Sequence, residues 1–409
     1  MQEAHPPSRV ASRLAPFGTT IFAEMTRLAA EHKAINLSQG FPDFDGPGFI
    51  KDAAVKAIRE RHNQYAKPTG EPDLVEALAA WWGQETGRDL DPYAEITVTS
   101  GCTEALAASF LGLIEPGDEV ILFEPFYDSY RACCALAGAK PRFVALRPPG
   151  PDAGPTAQFR FDEAELRAAF EPRTRAIVIN TPHNPTGKVF SRKELDLIAS
   201  LCVEHDAIAI TDEVYEHLVF EPDKSHIRIA TLPGMAERTV TLSSLGKTFS
   251  LTGWKIGWAI APPHLTAGVR SAHQFLTFAV ATPLQHAAAE AIRNGADSIA
   301  DLVAQLAGSR AFLADTLRDA GLRVYWPAGG YFIMADHSAL GIGDDVEFCR
   351  YLTEEVKVAA IPPSSFYSRA ELGRSLVRFA FCKKLSTLEE AARRLGALGS
   401  ASRTGAAAR

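Results

Sequence analysis

Ala176-Ile177-Val178-Ile179-Asn180, running straight into Thr181-Pro182-His183-Asn184-Pro185-Thr186-Gly187, is the stretch on which the fold turns. Its apolar, largely β-branched residues do not alternate with polar ones, so the segment reads as a strand covered on both faces. Two prolines and a glycine then stop it in an irregular loop, where an X-Pro bond can be cis. Ala207-Ile208-Ala209-Ile210-Thr211 repeats the pattern. Further short runs at Glu95–Thr99, Glu119–Phe123, Arg142–Ala145, Thr239–Ser243 and Ile256–Ala261 bring the candidate strands to seven. Helix-like segments lie between or after them, among them Thr103–Ile114, Arg192–His205 and Leu284–Arg293. Strand–helix alternation of this kind predicts an α/β sheet with right-handed crossovers.

After Ala296 the pattern changes to a long helical stretch (Ile299–Ala320), short strands and a last helix (Thr387–Leu398). The expected division is therefore a large domain over residues 46–296 and a smaller α+β domain over 297–399. Residues 1–45 form an arm that joins the smaller domain, and 400–409, rich in Ala, Gly and Ser, form a flexible tail.

In an open parallel sheet, ligands sit beyond the carboxyl ends of the strands, and that is where the chemistry-bearing residues cluster. Thr211-Asp212-Glu213-Val214-Tyr215 puts a carboxylate at a strand end, where it either caps a helix or meets a protonated ring nitrogen. Ser243-Ser244-Leu245-Gly246-Lys247-Thr248-Phe249 puts a lone lysine after another strand. Buried beside other cations, such as Lys255 eight residues on, its amine would be neutral part of the time and could condense with an aldehyde; otherwise it is an exposed loop lysine. Ser100-Gly101-Cys102-Thr103-Glu104 opens a helix, whose N–H groups either bind a phosphate or are simply capped. Phe126-Tyr127 offers a ring to stack on a flat heterocycle or to fill the core. Arg378, within Leu376-Val377-Arg378-Phe379, could hold a carboxylate with two parallel hydrogen bonds or pair with a surface acid.

Composition sets the bounds. The 409 residues are 46% hydrophobic and 22% charged with a formal net charge of −7, which fits a soluble globular protein of two or three domains. An acidic balance argues against a sequence-independent grip on nucleic acid. No apolar run approaches the ~18 residues that span a bilayer, and no secretory signal is evident. Six cysteines without CxxC spacing suit reduced thiols in a cytoplasmic protein, and no metal is expected.

The set of motifs INLSQGFPDF (35–44), NTPHNPTGKVF (180–190), TDEVYEHL (211–218), SSLGKTFSLTGWKIGW (243–258), PAGGYF (327–332) and LVRFAF (376–381), in that order, resembles the class I/II aminotransferases of pyridoxal-phosphate fold type I. The likeness runs from about Arg13 to Leu398. Within that class it is greatest to the group of kynurenine aminotransferases, glutamine transaminases and cysteine-S-conjugate β-lyases, and to bacterial methionine or aromatic aminotransferases. The resemblance implies a three-layer α/β/α large domain with a mostly parallel seven-stranded sheet, a smaller α+β domain, and pyridoxal 5′-phosphate as cofactor. It implies Lys247 as the Schiff-base lysine and proton shuttle, Asp212 at the pyridine nitrogen, and Tyr215 and Asn184 at the ring oxygen, with Asn180 also beside the cofactor. Gly101, Cys102, Thr103, Ser244 and Lys255 would hold the phosphate. Tyr127 would stack on the ring, with Phe126 as the fallback. Gly40, Asn184 and Arg378 would receive the substrate, with Phe22 and Phe17 as an aromatic lid. Tyr65 would reach the phosphate of a neighbouring subunit, which implies a homodimer with shared sites.

The chain departs from the kynurenine enzymes at Thr103, where they usually carry Tyr, and at Val280-Ala281, where several carry an aromatic–His pair. No second Arg for a distal carboxylate is evident. The expected activity is transfer of the amino group of a neutral, medium to large amino acid (Met, Gln, aromatic, kynurenine) to a 2-oxo acid by a ping-pong mechanism. β-Lysis of a cysteine S-conjugate on the same scaffold is the alternative. An acyltransferase, a sugar aminotransferase and a non-catalytic sensor are the further rivals, since fold alone does not choose among them.

Overall fold

In the computed structural model, residues 10–406 are described, with side chains to Leu398. Seven strands form the central sheet: β1 (Ile96–Ser100), β2 (Glu119–Glu124), β3 (Lys140–Ala145), β4 (Thr174–Asn180), β5 (Ile208–Asp212), β6 (Thr239–Ser244) and β7 (Ile256–Ile260). Their order across the sheet is β1-β7-β6-β5-β4-β2-β3. Only β7 runs against the others. The sheet is mostly parallel, as the sequence implied, and each predicted strand appears with its ends moved by one or two residues.

Ile177 and Ile179 of β4 pack on one face with the helix Arg192–Glu204, while Ala176 and Val178 pack on the other with the helix Gly101–Leu113. Both faces of β4 are closed to water, which is why its Ala176–Ile179 run carries no polar alternation. The Arg192–Glu204 helix starts at a reciprocal cap in which Ser191 and Glu194 satisfy each other's backbone N–H groups.

The smaller α+β unit contains a three-stranded antiparallel sheet: β8 (Arg323–Tyr325), β9 (Phe332–Asp336) and β10 (Leu376–Ala380), with β9 in the middle. The helix Ala296–Asp319 leads into it and packs on the last helix, Leu385–Ala406. That last helix is longer than the periodicity predicts and enters the alanine-rich stretch, alanine being the strongest helix former. Residues 407–409 lie outside the described residues, as do residues 1–9 of the N-terminal arm.

The N-terminal segment is tied to this unit. The helix Ile21–Glu31 buries Met25 and Leu28 against the smaller unit's core, and Ile35-Asn36 pairs in parallel with Val358-Ala359. No helix among the described residues is long and apolar enough to cross a membrane.

Candidate active site

The carboxyl ends of β4, β5 and β6 open onto one cavity of about 430 Å³, a size suited to a small-molecule ligand. Asn180 and Asp212 end their strands, Ser244 ends β6, and Lys247 lies in the single turn that follows. The N-terminus of the Gly101–Leu113 helix closes one side, and Arg378 of β10 reaches in from the smaller unit. Gly40, Cys102, Thr103, Tyr127, Asn184, Tyr215, Lys255 and Phe22 also line the cavity. Residues scattered over 350 positions of sequence thus meet in one place.

Lys247 is partly buried and lines the cavity. Burial is the main cause that lowers its amine below the ordinary lysine range, with Arg378 and Lys255 acting in the same direction and Cys382 and Asp212 opposing. Its Nζ donates to the carbonyl of Gly40 at 2.8 Å and lies over the rings of Tyr331 and Tyr215. Asp212 is buried at the cavity wall. Burial raises its carboxyl above the usual range, and hydrogen bonds from Tyr130, the Val214 backbone and Cys102 pull it back down.

Arg378 is 1% exposed and has no carboxylate within salt-bridge distance among the described residues. It donates to Asn184 Oδ1 at 3.1 Å and to the Ser38 carbonyl at 2.7 Å, while its Nε has no hydrogen-bond partner. The rings of Phe332, Phe22 and Phe366 surround the guanidinium, with its Cζ 4.2–5.3 Å from their centroids. Burial pushes this guanidinium down to about 10.

The opposite end of the cavity is shaped for an anion. Gly101 has φ +71°, and a Cβ there would fall 3.1 Å from Lys255 Nζ, so glycine keeps the space between lysine and helix start clear. Gly257 on β7 lets the helix start approach the sheet: a Cβ there would lie 2.5 Å from the Gly101 carbonyl carbon and 2.6 Å from Cys102 N. Helix N–H groups, the Ser244 and Thr103 hydroxyls and the Lys255 amine together suit a phosphate.

Some assignments change on inspection. Phe126 is buried against Phe143 and does not line the cavity, whereas Tyr127 does. Asn180 borders the cavity, but its side chain is used locally: Nδ2 donates to the Asp212 carbonyl and Oδ1 accepts from the Asn184 N–H at 2.6 Å. It fixes the loop that carries Asn184, in which the Thr181–Pro182 and Asn184–Pro185 bonds are both cis. Phe17 sits on the Arg131 guanidinium and not at the cavity wall, whereas Phe22 lines it. Tyr65 is 87% exposed, with its ring edge-on to Phe278, and does not line this chain's own cavity.

The sequence reading passed over Tyr130, Gln39, Phe41 and Phe332, all of which line the cavity. Tyr130 was within reach, since it falls one helical turn after Tyr127. Phe332 was quoted within a motif but given no task. Behind the site, Arg228 pairs with Glu213 at 2.7 Å, with Glu216 at 2.5 Å and with Glu85. Glu213, Glu216 and His226 stand close enough to share a cation, but this guanidinium already occupies their midst.

A buried lysine, a strand-end carboxylate, an anion cradle at a helix start and an arginine for a carboxylate, at the edge of a mostly parallel seven-stranded sheet, define an enzyme of the pyridoxal-phosphate class. The aminotransferase class I and II family matches residues 32–395, and the chain belongs to that family. It is a pyridoxal-phosphate-dependent transaminase. It is 48% identical over 95% of its length to a probable N-succinyldiaminopimelate aminotransferase of Mycobacterium tuberculosis, 98% of which is covered. The structure of the N-succinyldiaminopimelate aminotransferase of that organism superposes with a TM-score of 0.91 at 49% identity, covering 95% of this chain and 99% of that one. The methionine aminotransferase of Escherichia coli is 42% identical, over 94% of this chain and 97% of the relative. Kynurenine–oxoglutarate transaminase 3 of Mus musculus is likewise 42% identical, over 93% and 88%.

Proposed function

We propose that the preferred amino donor is a neutral amino acid of medium to large size, methionine, glutamine or an aromatic residue among them, and that a 2-oxo acid accepts the amino group in a ping-pong reaction. One observation carries this reading. The only cations lining the cavity, among the described residues, are Lys247, Lys255 and Arg378. With the first two assigned to the cofactor and the third to the α-carboxylate, none is left for a distal carboxylate. Phe22, Phe41, Phe332 and the neutral Gln39 border the substrate space instead. The N-succinyldiaminopimelate relative shares 48% identity, yet the charge of a succinyl group finds no partner among these residues.

In this reading the unpartnered Nε of Arg378 and one of its bonded nitrogens turn to the substrate carboxylate, and Asn184 steadies the guanidinium. That contact orients the Cα–H toward Lys247. Because burial keeps the amine neutral part of the time, Lys247 can take the Cα proton, a service worth roughly 10²–10⁴-fold. Asp212 would face the ring nitrogen of a bound cofactor, Tyr127 would stack on its ring, Tyr215 and Asn184 would reach the ring oxygen, and Gly101, Cys102, Thr103, Ser244 and Lys255 would hold the phosphate. When bound, the cofactor supplies an electron-poor ring that takes up the electron pair left at Cα. Tyr65 (87% exposed) and Phe275 (90% exposed), with Leu276 and Phe278, are the exposed apolar groups that a second copy would cover, placing Tyr65 at the neighbouring site.

The test is a donor screen against several 2-oxo acids. Methionine, glutamine and phenylalanine should turn over with parallel double-reciprocal lines, and aspartate should be slower by on the order of 10²-fold. A preference for N-succinyldiaminopimelate, or release of pyruvate and ammonia from an S-conjugate without any need for an oxo acid, would overturn the assignment.

A further inference from the structure

Three groups of this chain donate to the Asp212 carboxylate. The Tyr130 hydroxyl meets Oδ2 at 2.7 Å, while the Val214 N–H and the Cys102 thiol meet Oδ1 at 3.3 and 3.7 Å. Tyr130 is 3% exposed and lies in the helix Asp128–Ala137, whose N-cap is Tyr127. The two tyrosine rings meet edge to face at 5.7 Å. One short helix therefore carries both the ring that would stack on the cofactor and the phenol that braces the carboxylate.

We propose that Tyr130 is a positioning residue of the transamination, acting through Asp212, and that Cys102 assists it as a weaker donor. The inference rests on reading Asp212 as the partner of the ring nitrogen. A carboxylate buried alone reverts to its neutral acid, which would present no charge to a protonated ring. A donor on Oδ2 favours the charged form and fixes its rotamer. Both donors stay protonated, because burial and the Asp212 charge push the phenol and the thiol well above their ordinary ranges. Neither can turn into a rival anion near neutral pH.

The test uses the holoenzyme and its Tyr130→Phe and Cys102→Ala variants, with two readouts besides turnover. The first is the dissociation constant of pyridoxal phosphate. The second is the pH titration of the bound cofactor's visible absorbance, which follows the proton on the Lys247 nitrogen. Tyr130→Phe keeps the ring in the core, and a melting curve checks that the fold survives. Loss of the phenol should weaken cofactor binding roughly 10-fold, the scale of one hydrogen bond to a charged group. It should also move the absorbance midpoint to higher pH, because a less cationic ring repels that proton less. Cys102→Ala should shift both readouts in the same direction by less. Wild-type values of both readouts in Tyr130→Phe, to within about twofold, would overturn the role of Tyr130 alone. An Asp212→Asn variant that also kept wild-type values would overturn the reading of Asp212 beneath it.

Discussion

Replacing Arg378 separates what the residue does for binding from what it costs the fold. The guanidinium is buried with no acid within salt-bridge distance among the described residues, and burial pushes it from its ordinary value down to about 10. Such a displacement corresponds to about 3 kcal/mol by which the folded protein disfavours the charge at neutral pH. Two neutral acceptors, Asn184 Oδ1 and the Ser38 carbonyl, offset part of the burial cost, and three aromatic faces add further compensation. Arg378→Met fills a similar volume without the charge. The variant should therefore melt at the same temperature as wild type or higher, as happens when a buried charge gives way to an apolar side chain. Activity should move the other way. Losing a fork that makes two charge-assisted bonds to the substrate carboxylate removes about 3–5 kcal/mol of transition-state binding. The value of kcat/KM for methionine should fall by roughly 10²–10³-fold or more. The affinity for pyridoxal phosphate should hardly change, since Arg378 sits at the substrate end. Differential scanning fluorimetry, cofactor titration and steady-state kinetics on one preparation read all three quantities. A variant that melts well below wild type, or that keeps kcat/KM within about tenfold, would refute the reasoning.

Lys247→Ala should abolish both the covalently attached visible chromophore and transamination, seen by absorbance after denaturation and by oxo-acid formation. Gly257→Ala would place a methyl carbon 2.5 Å from the backbone of Gly101; expected are a stability loss of about 1–3 kcal/mol by chemical denaturation and weakened cofactor affinity. For Asp212 the sign follows from its raised value, caused chiefly by burial. The charged form that faces the ring is lost as pH falls through that value, so cofactor affinity measured by equilibrium dialysis should begin to drop at a higher pH than for an ordinary carboxylate. Phe22→Ala opens the cavity wall beside Arg378; KM for methionine and phenylalanine should rise several-fold, about 1 kcal/mol, with kcat changed less.

The central sheet was legible because its strands are buried on both faces. The run Ile208–Asp212 is apolar through Ile210 and turns polar only at its ligand edge, where Thr211 and Asp212 end it. The same rule placed Lys247, Asn184 and Ser244. What remained hidden depends on contacts across the chain. Nothing near Gly40 in the sequence says that its carbonyl takes the Lys247 amine, 207 residues away, and nothing near Ser38 says that its carbonyl takes Arg378. Which of Phe126 and Tyr127 borders the cavity turns on a register of one residue, and Phe126 packs instead on Phe143 in a neighbouring strand. Tyr130 escaped because the helix after β2 was not drawn, and without a helix there is no reason to pair it with Tyr127.

Three of the charged side chains that line this cavity share one physical condition. Burial pushes Lys247, Asp212 and Arg378 each toward neutrality, and none has a protein counter-ion within salt-bridge distance among the described pairs. Elsewhere the same chain shows how it treats a buried charge that has no ligand to meet: Arg228 is matched by Glu85, Glu213 and Glu216, and its guanidinium rises above the ordinary range. The contrast assigns the missing partners of the cavity to what binds there. In the proposed reading an aldehyde carbon would meet the lysine, a ring N–H the aspartate and a carboxylate the arginine. Stability withheld at these three residues is recovered on binding, because a ligand that supplies the absent partner stabilises the folded state in proportion to its affinity. Cofactor and substrate should therefore raise the melting temperature additively, each through its own residues. In Arg378→Met the shift given by a substrate-like carboxylate should vanish while the cofactor's shift persists. A carboxylate shift that survived in that variant would place the substrate anchor elsewhere.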